Sequence, residues 1–323
     1  MSKLNKGSGF LGILLFFQCC QSPGNSAPTI GFADAFEDNT IEQAKQGFVD
    51  ALKKSGFDEE KKTVNIIYRN AQGNIPVLTQ VIKYFVAQKV LLIASSPSLS
   101  TITAIQNTKA IPVFMMVSPT PTLMKITDGK GQAPANLFGV ADELDYIDTS
   151  FALISSLVKP GGQKLSVGMI YNQSEPQSVE ALKRIQPLAE KLQINLVSLP
   201  VNSTMDVQLV TQSLLRKNID AFFANPDNTV FGSFETIIQA CNKARVPVFT
   251  SEAGLVSRGA VAAYGADIYQ WGYQAGVQAA QFLKNGNTKG LHWELVKVRK
   301  RVFNPQAANQ FGISIPPNFE SIQ

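Results

Sequence analysis

Histidine is almost missing: His292 is the only one in 323 residues. A Ser–His–Asp or Cys–His catalytic constellation would therefore have to use that one residue, and a multi-histidine metal site cannot form. Cysteine is nearly as scarce, at positions 19, 20 and 241. The first two fall in an N-terminal leader, so the body holds only Cys241 and no internal disulfide. Cys241, inside Ile-Gln-Ala-Cys-Asn-Lys-Ala, reads as a small buried helix residue. Charge is sparse too, at 16% of residues. The net +5 comes from the two ends: residues 28–288 carry 22 bases and 22 acids. A neutral body has no electrostatic footprint for nucleic acid. No apolar run is long enough to cross a bilayer; Phe10–Phe17 would span only about 12 Å as a helix.

What is present is 45% hydrophobic residue content, enough to exclude disorder, and a length that suggests two domains. The first 20 residues combine Lys3 and Lys6 with that short apolar run and end at Cys19-Cys20, the layout of a secretory leader. Cysteines at the boundary suggest lipoprotein processing, with Cys19 or Cys20 lipidated, although Phe16 and Gln18 depart from the usual lipobox. Residues 21–28, rich in Ser, Pro, Gly and Asn, read as a tether.

Beyond the tether, short apolar runs alternate with helix-period segments, the mark of parallel βαβ units. The strands expected first are Thr29–Ala33, Val64–Tyr68, Val90–Ala94 and Ile111–Val117; the second set is Leu165–Tyr171, Asn195–Leu199, Ala221–Ala224 and Val246–Thr250. Helices are expected at Thr40–Ser55, Ile75–Gln88, Ser178–Leu192 and Asp206–Lys217, with Pro187 interrupting the third. The halves echo each other. Ala110-Ile-Pro-Val-Phe114 recurs as Arg245-Val-Pro-Val-Phe249, Leu78-Thr-Gln80 as Val210-Thr-Gln212, and Gly31-Phe-Ala-Asp34 faces Gly168-Met-Ile-Tyr171. Near-constant offsets in the same order imply two copies of one α/β lobe, each a parallel sheet covered on both faces. The expected fold is thus two Rossmann-like lobes joined by a multi-strand hinge. A helix at Ile268–Lys284 and a strand at Leu291–Val298 complete the chain. The first lobe is expected to comprise 29–143 and 266–289, the second 144–265 and 290–323, with crossings near Asp142–Asp145, Gly265–Asp267 and Lys289–Gly290.

Five blocks then carry a family pattern: Arg69-Asn-Ala-Gln-Gly73, Tyr171-Asn172 with Glu175, Pro226-Asp-Asn-Thr-Val230, Ser251-Glu252, and Arg258-Gly-Ala260. From Thr29 to Glu294 the chain resembles the ABC-transporter substrate-binding proteins of the tryptophan/tyrosine type, which have the type I periplasmic-binding-protein fold. The resemblance implies an extracytoplasmic, lipid-anchored protein that delivers a small solute, often an amino acid, to an ABC permease. Two features depart from the pattern: Ser118-Pro119-Thr120 stands where the family commonly has Thr-Asp-Pro, and Lys125–Ala135 looks like an elaborated loop.

In such sheets the ligand lies beyond the carboxyl ends of the strands. A bound amino acid needs an acceptor for its ammonium and donors for its carboxylate. Ser96 and Ser98, opening a helix after the third strand, are the candidate carboxylate donors, unless they only cap it. Asp227 and Glu252 are the candidate ammonium acceptors; the alternatives are an N-cap for Asp227 and a solvated loop carboxylate for Glu252. Asn172 offers donor and acceptor together, or a turn. Asp34 ends the first strand, Phe36 offers a ring to stack on the ligand, and Gln72 edges the site. Tyr264 and Trp271 read as hinge packing, His292 as structural within a terminal strand, and Lys297–Arg301 as a solvated basic edge. No cofactor or metal, no enzymatic activity, no nucleic-acid partner and a monomeric state are expected. The competing readings are a same-fold receptor for a signalling partner and an extracellular α/β enzyme using Asp227 and Glu252 as a carboxylate pair.

Overall fold

The structure, a computed structural model, describes residues 27–322. The expected leader, the lipidation candidates Cys19 and Cys20, and most of the tether lie outside the described residues. In chain order the first half runs β1 (Thr29–Asp34), α1 (Asn39–Lys54), β2 (Asn65–Asn70), α2 (Ile75–Ala87), β3 (Ile93–Ser96), α3 (Ser98–Asn107), β4 (Val113–Pro119) and β5 (Leu137–Asp142). The second half runs α4 (Tyr146–Leu157), β6 (Ser166–Asn172), α5 (Pro176–Lys191), β7 (Asn195–Val201), α6 (Val207–Leu215), β8 (Ala221–Ala224), α7 (Asn228–Phe231), α8 (Phe234–Lys243), β9 (Val248–Thr250), α9 (Ala253–Val256) and β10 (Ala262–Ala266). It ends with α10 (Ile268–Asn285), β11 (Glu294–Leu295), β12 (Arg299–Phe303), α11 (Pro305–Phe311) and β13 (Glu320–Ser321).

Two sheets result, ordered β11-β5-β4-β3-β1-β2 and β13-β12-β10-β9-β8-β6-β7. The run 5-4-3-1-2 in one matches 10-9-8-6-7 in the other, so the sequence echo is a duplicated topology. Among the described residues only the antiparallel β10–β12 pair departs from parallel pairing. Nearly every residue of β1, β3, β4 and β5 is buried, as strands covered on both faces must be. The apolar faces form four clusters, two per lobe, around Phe32, Phe48 and Phe114, around Ile82 and Phe85, around Phe151 and Phe223, and around Phe222 and Phe234.

Three corrections concern the chain ends of elements. β5 was not among the expected strands: Asn136–Asp142 lies behind a Pro- and Gly-rich loop that hides its period, yet it pairs along β4. Of the expected Leu291–Val298 strand only Glu294–Leu295 (β11) forms, and a separate strand, β12, follows at Arg299–Phe303. β11 still pairs with β5, and β12 pairs with β10, so the third crossing follows Leu295 rather than Lys289–Gly290. His292 accordingly sits in an exposed loop. Pro187 lies inside a continuous α5; it is on the exposed face, where the Lys183 carbonyl it leaves unpaired can meet water.

α10 begins at the second crossing and lies on α1. A Cβ on Gly272 would come within 1.8 Å of the Ala44 carbonyl oxygen, and one on Gly47 within 2.0 Å of that of Tyr269. The two helices touch backbone to backbone, which holds Trp271 at a fixed height beside the hinge.

Candidate ligand-binding site

The carboxyl ends of both sheets face each other, and the lobes are closed on one another. Asn228 Nδ2 donates to Ser98 Oγ across the gap at 3.1 Å. Arg258, after α9, pairs with Asp38, which caps α1 in the other lobe. Arg258 is also held by a two-point contact with Glu235 at 2.8 Å and 2.8 Å and lies over the Phe234 ring.

Between the closed lobes is a narrow cavity of about 40 Å³. The first lobe contributes Pro97, Ser98, Val117, Ser118, Pro119 and Asp142; the second contributes Leu144, Tyr146, Gln177, Phe231 and Glu252, with Trp271 at the hinge. Pro226, Asp227 and Asn228 complete it. β4 supplies its wall through an irregularity: the β4–β5 register shifts between Met115 and Ser118, and Val117 takes φ 50. A β-branched residue rarely adopts this left-handed conformation, and the shift turns Val117 and Ser118 toward the cavity. Trp271 is anchored by its indole N–H, which donates to the Val140 carbonyl at 2.8 Å. The walls are therefore largely apolar and aromatic, interrupted by three carboxylates.

Those carboxylates differ in what they have left to give. Asp227 accepts four hydrogen bonds: Oδ1 from the Thr229 and Val230 amides at 2.8 Å and 3.0 Å, Oδ2 from the Asn172 amide at 2.7 Å and Ser178 Oγ at 2.5 Å. Its acceptor positions are filled. Of the two expectations for Asp227, the N-cap is the one its bonds describe; it caps α7 and ties that turn to β6. Burial pushes its carboxyl up, against those donors. Asp142 is gripped by both Arg299 nitrogens at 2.8 Å and 2.5 Å. Burial nonetheless pushes it up to about 6, the Arg299 bonds acting the other way. Glu252 is different. Oε1 accepts from Tyr146 Oη at 2.7 Å and the neighbouring Ser251 side chain also favours the charged form, while among the described residues no donor within 3.5 Å reaches Oε2. The residue is 3% exposed and burial pushes its carboxyl up to about 8.

The remaining expected site residues fall in three places. Asn172 sits behind Asp227, its Nδ2 donating to Thr229 Oγ1 and its Oδ1 accepting from the Ser174 amide. Nothing of it lines the cavity; it closes a turn. Ser96 is buried at the end of β3 and lines no cavity described here. Pro97, rather than a serine, occupies the position before α3, with no side-chain cap. Asp34, Phe36 and Gln72 line a separate pocket on the first lobe. Ser98, Asp227 and Glu252 are the members of the expected set that the fold brings together.

The profile of the family described as ABC transporter substrate binding protein matches residues 29–321. The chain belongs to that family. A tyrosine-binding protein of Clostridioides difficile (strain R20291) is 28% identical over 289 residues, covering 86% of this chain and 82% of the relative. A conserved domain protein of Vibrio cholerae, 29% identical, superposes with a TM-score of 0.82 over 91% of this chain and 99% of its own. A Streptococcus pneumoniae domain solved in complex with L-Trp shares the fold at 22% identity, with a TM-score of 0.82 over 92% of this chain and 99% of its own.

For this substrate-binding protein, sequence reasoning missed the apolar walls of the cavity. Trp271 was read as packing only, and Tyr146, Phe231 and Leu144 were not singled out. A signal did exist for two of them: Tyr146 follows the first crossing directly, and Phe231 directly follows the Asp227-Asn-Thr-Val block. The basic segment also does more than expected. Arg299 closes on Asp142 and lies 4.8 Å over the Tyr146 ring, and Lys300 pairs with Asp267 at 2.6 Å, so two of its charges bind the hinge crossings together.

Proposed function

We propose that the cavity binds a small zwitterion with an aromatic side chain, an amino acid of the tyrosine or tryptophan kind. One observation carries this: Glu252, the one cavity carboxylate with an oxygen free of hydrogen bonds, stands beside an apolar wall that includes Tyr146, Phe231, Trp271 and Leu144. An ammonium would pair with Glu252 Oε2, and an ion so paired no longer suffers the full penalty of burial. The ligand carboxylate would meet the first turn of α3, where the Ser98 and Leu99 amides have no partner one helical turn back. The printed ligands of two relatives, tyrosine and L-Trp, agree with this chemistry.

In this reading, binding stabilises lobe closure and the closed form is what an ABC permease recognises. The protein acts outside the cytoplasm, held by a lipid on Cys19 or Cys20. As a binding protein it needs no enzymatic carboxylate pair, and the filled acceptors of Asp227 argue against the enzyme reading.

Calorimetry and thermal melting of the purified protein against the twenty amino acids test the proposal. Tyrosine or tryptophan at 100 times its dissociation constant should add about 2.7 kcal/mol of stability. Binding of acidic or basic amino acids in preference to aromatic ones would overturn it. Mass spectrometry of metabolically labelled cells tests the anchor: a diacylglyceryl group on neither cysteine would remove that part.

A further inference from the structure

Asp34, Phe36 and Gln72 do not join the interlobe cavity; the pocket they line shares no residue with it. This outer pocket, about 370 Å³, opens at the carboxyl ends of β1 and β2. Asp34 ends β1, between Ser96 of β3 and Asn70 of β2 in register. It is 8% exposed, and neither side-chain oxygen accepts a hydrogen bond; Oδ1 is fully buried without a partner. Leaving a carboxylate in that condition is costly, and the fold offers only the nearby charge of Lys45 to relieve it. The cations nearby are committed elsewhere. Lys45 pairs with Glu42 at 2.5 Å and lies over the Tyr68 ring; Arg69 donates to the Tyr68 carbonyl at 2.8 Å and stacks on Tyr84. Asp38 is held by Arg258.

We propose that this outer pocket is a second binding site, for a small organic amine whose ammonium sits on Asp34 and whose apolar body lies against Phe36 and Tyr68. The chemistry follows from the lining. Among the described residues no cluster of three acidic, histidine or cysteine side chains is arranged to hold a metal ion, so an organic cation is the better match. Aromatic rings favour both an apolar body and a cation. Glu37 and Glu42 at the mouth disfavour a ligand carboxylate, which separates this site from the interlobe cavity. An amine lacking a carboxylate fits the outer pocket, and a zwitterion fits the inner one. Burial pushes the Asp34 carboxyl up to about 7, opposed by Lys45, and a bound ammonium would favour the ionised form.

The test uses tyramine and its acid counterpart 3-(4-hydroxyphenyl)propionate as probes, by calorimetry at pH 8. Tyramine is expected to bind the wild-type protein and Glu252→Gln alike, and to bind Asp34→Asn at least tenfold more weakly; the acid is expected not to bind. Asp34→Asn keeps the side chain's volume and removes an unpaired charge, so its melting temperature should not fall, which checks that it is folded. The probe pair on the Glu252→Gln protein, which lacks the interlobe carboxylate, gives an answer even if the Asp34 variant fails. Equal binding of both probes, no tyramine binding at millimolar concentration, or loss of tyramine binding in Glu252→Gln alone would each overturn the proposal. Tyrosine binding that survives Asp34→Asn leaves the interlobe reading untouched, and failure of tyrosine to bind would not affect the Asp34 result.

Discussion

Tyr146 Oη donates to Glu252 Oε1 at 2.7 Å across 106 residues of sequence, at the point where the first hinge crossing meets the cavity. The bond fixes one Glu252 oxygen and leaves the other without a hydrogen bond. It also links Glu252 to the hinge, since Arg299 covers the Tyr146 ring while gripping Asp142.

Glu252→Gln should weaken binding of the aromatic amino acid by about 2–5 kcal/mol, because the ammonium loses its charged partner in a buried place. Tyr146→Phe removes one hydrogen bond to a charged group and should cost about 1.5–3 kcal/mol. Asp227→Asn should act mainly on stability, by weakening the α7 cap and the Ser178 and Asn172 bonds. Titration calorimetry with thermal melting separates these effects; a Glu252→Gln protein that binds like wild type would refute the ammonium assignment.

Stability without ligand should fall as pH rises. Asp34, Asp142 and Glu252 have carboxyls pushed by burial to about 7, 6 and 8, from ordinary values near 4, and burial together with the nearby Asp227 pushes Glu175 up as well. Between those limits the folded protein holds more protons than the unfolded chain, so their contribution is present at low pH and lost as pH climbs through the folded values. Glu235 and Glu294 are held below the usual range and act in the opposite sense, but both are largely solvated. The melting temperature at pH 5 should exceed that at pH 8, and bound tyrosine should narrow the gap by pairing with ionised Glu252. A higher melting point at pH 8 without ligand would contradict this.

Arg258→Ala should favour the open form. The Arg258–Asp38 pair joins the two lobes, and Asp38 is left buried and unpaired when the arginine is removed from the closed protein. Breaking such a pair costs roughly 3–5 kcal/mol where it stays dry, but opening the lobes lets water reach Asp38. Ligand affinity should therefore drop, and small-angle scattering of the ligand-free variant should show a larger radius of gyration than wild type. Identical profiles and affinities would mean that the pair does not hold the lobes together.

Gly272→Ala should destabilise the fold by about 1–3 kcal/mol, because the added carbon would overlap the Ala44 carbonyl oxygen and push α10 from α1. The shift would also move Trp271. Chemical denaturation measures the first effect; a change in indole fluorescence measures the second.

Much of the architecture was legible in the chain itself. Period-two and period-3.6 apolar patterns are local, so eight of the strands and the principal helices could be placed, and the recurrence of Pro-Val-Phe at 114 and 249 disclosed the duplication. β5 escaped because its neighbours are loop residues. The site was legible only as a set of polar residues at strand ends. Asp227 and Glu252 look alike there, each a lone carboxylate after a buried strand.

What divides them is contact between residues far apart in sequence. Ser178 and the Asn172 amide, 49 and 55 positions away, fill Asp227, while Tyr146 fills only half of Glu252. The same holds for Asp34 and Phe36, which stand at a strand end as the sequence implies but open into a different pocket. Sequence by itself determined that there are two α/β lobes with a polar rim, because hydrophobic periodicity and turn chemistry act over a few residues. Tertiary structure alone decided which carboxylate keeps a free oxygen and which rings wall it, because hydrogen-bond saturation depends on donors that only folding brings within 3 Å.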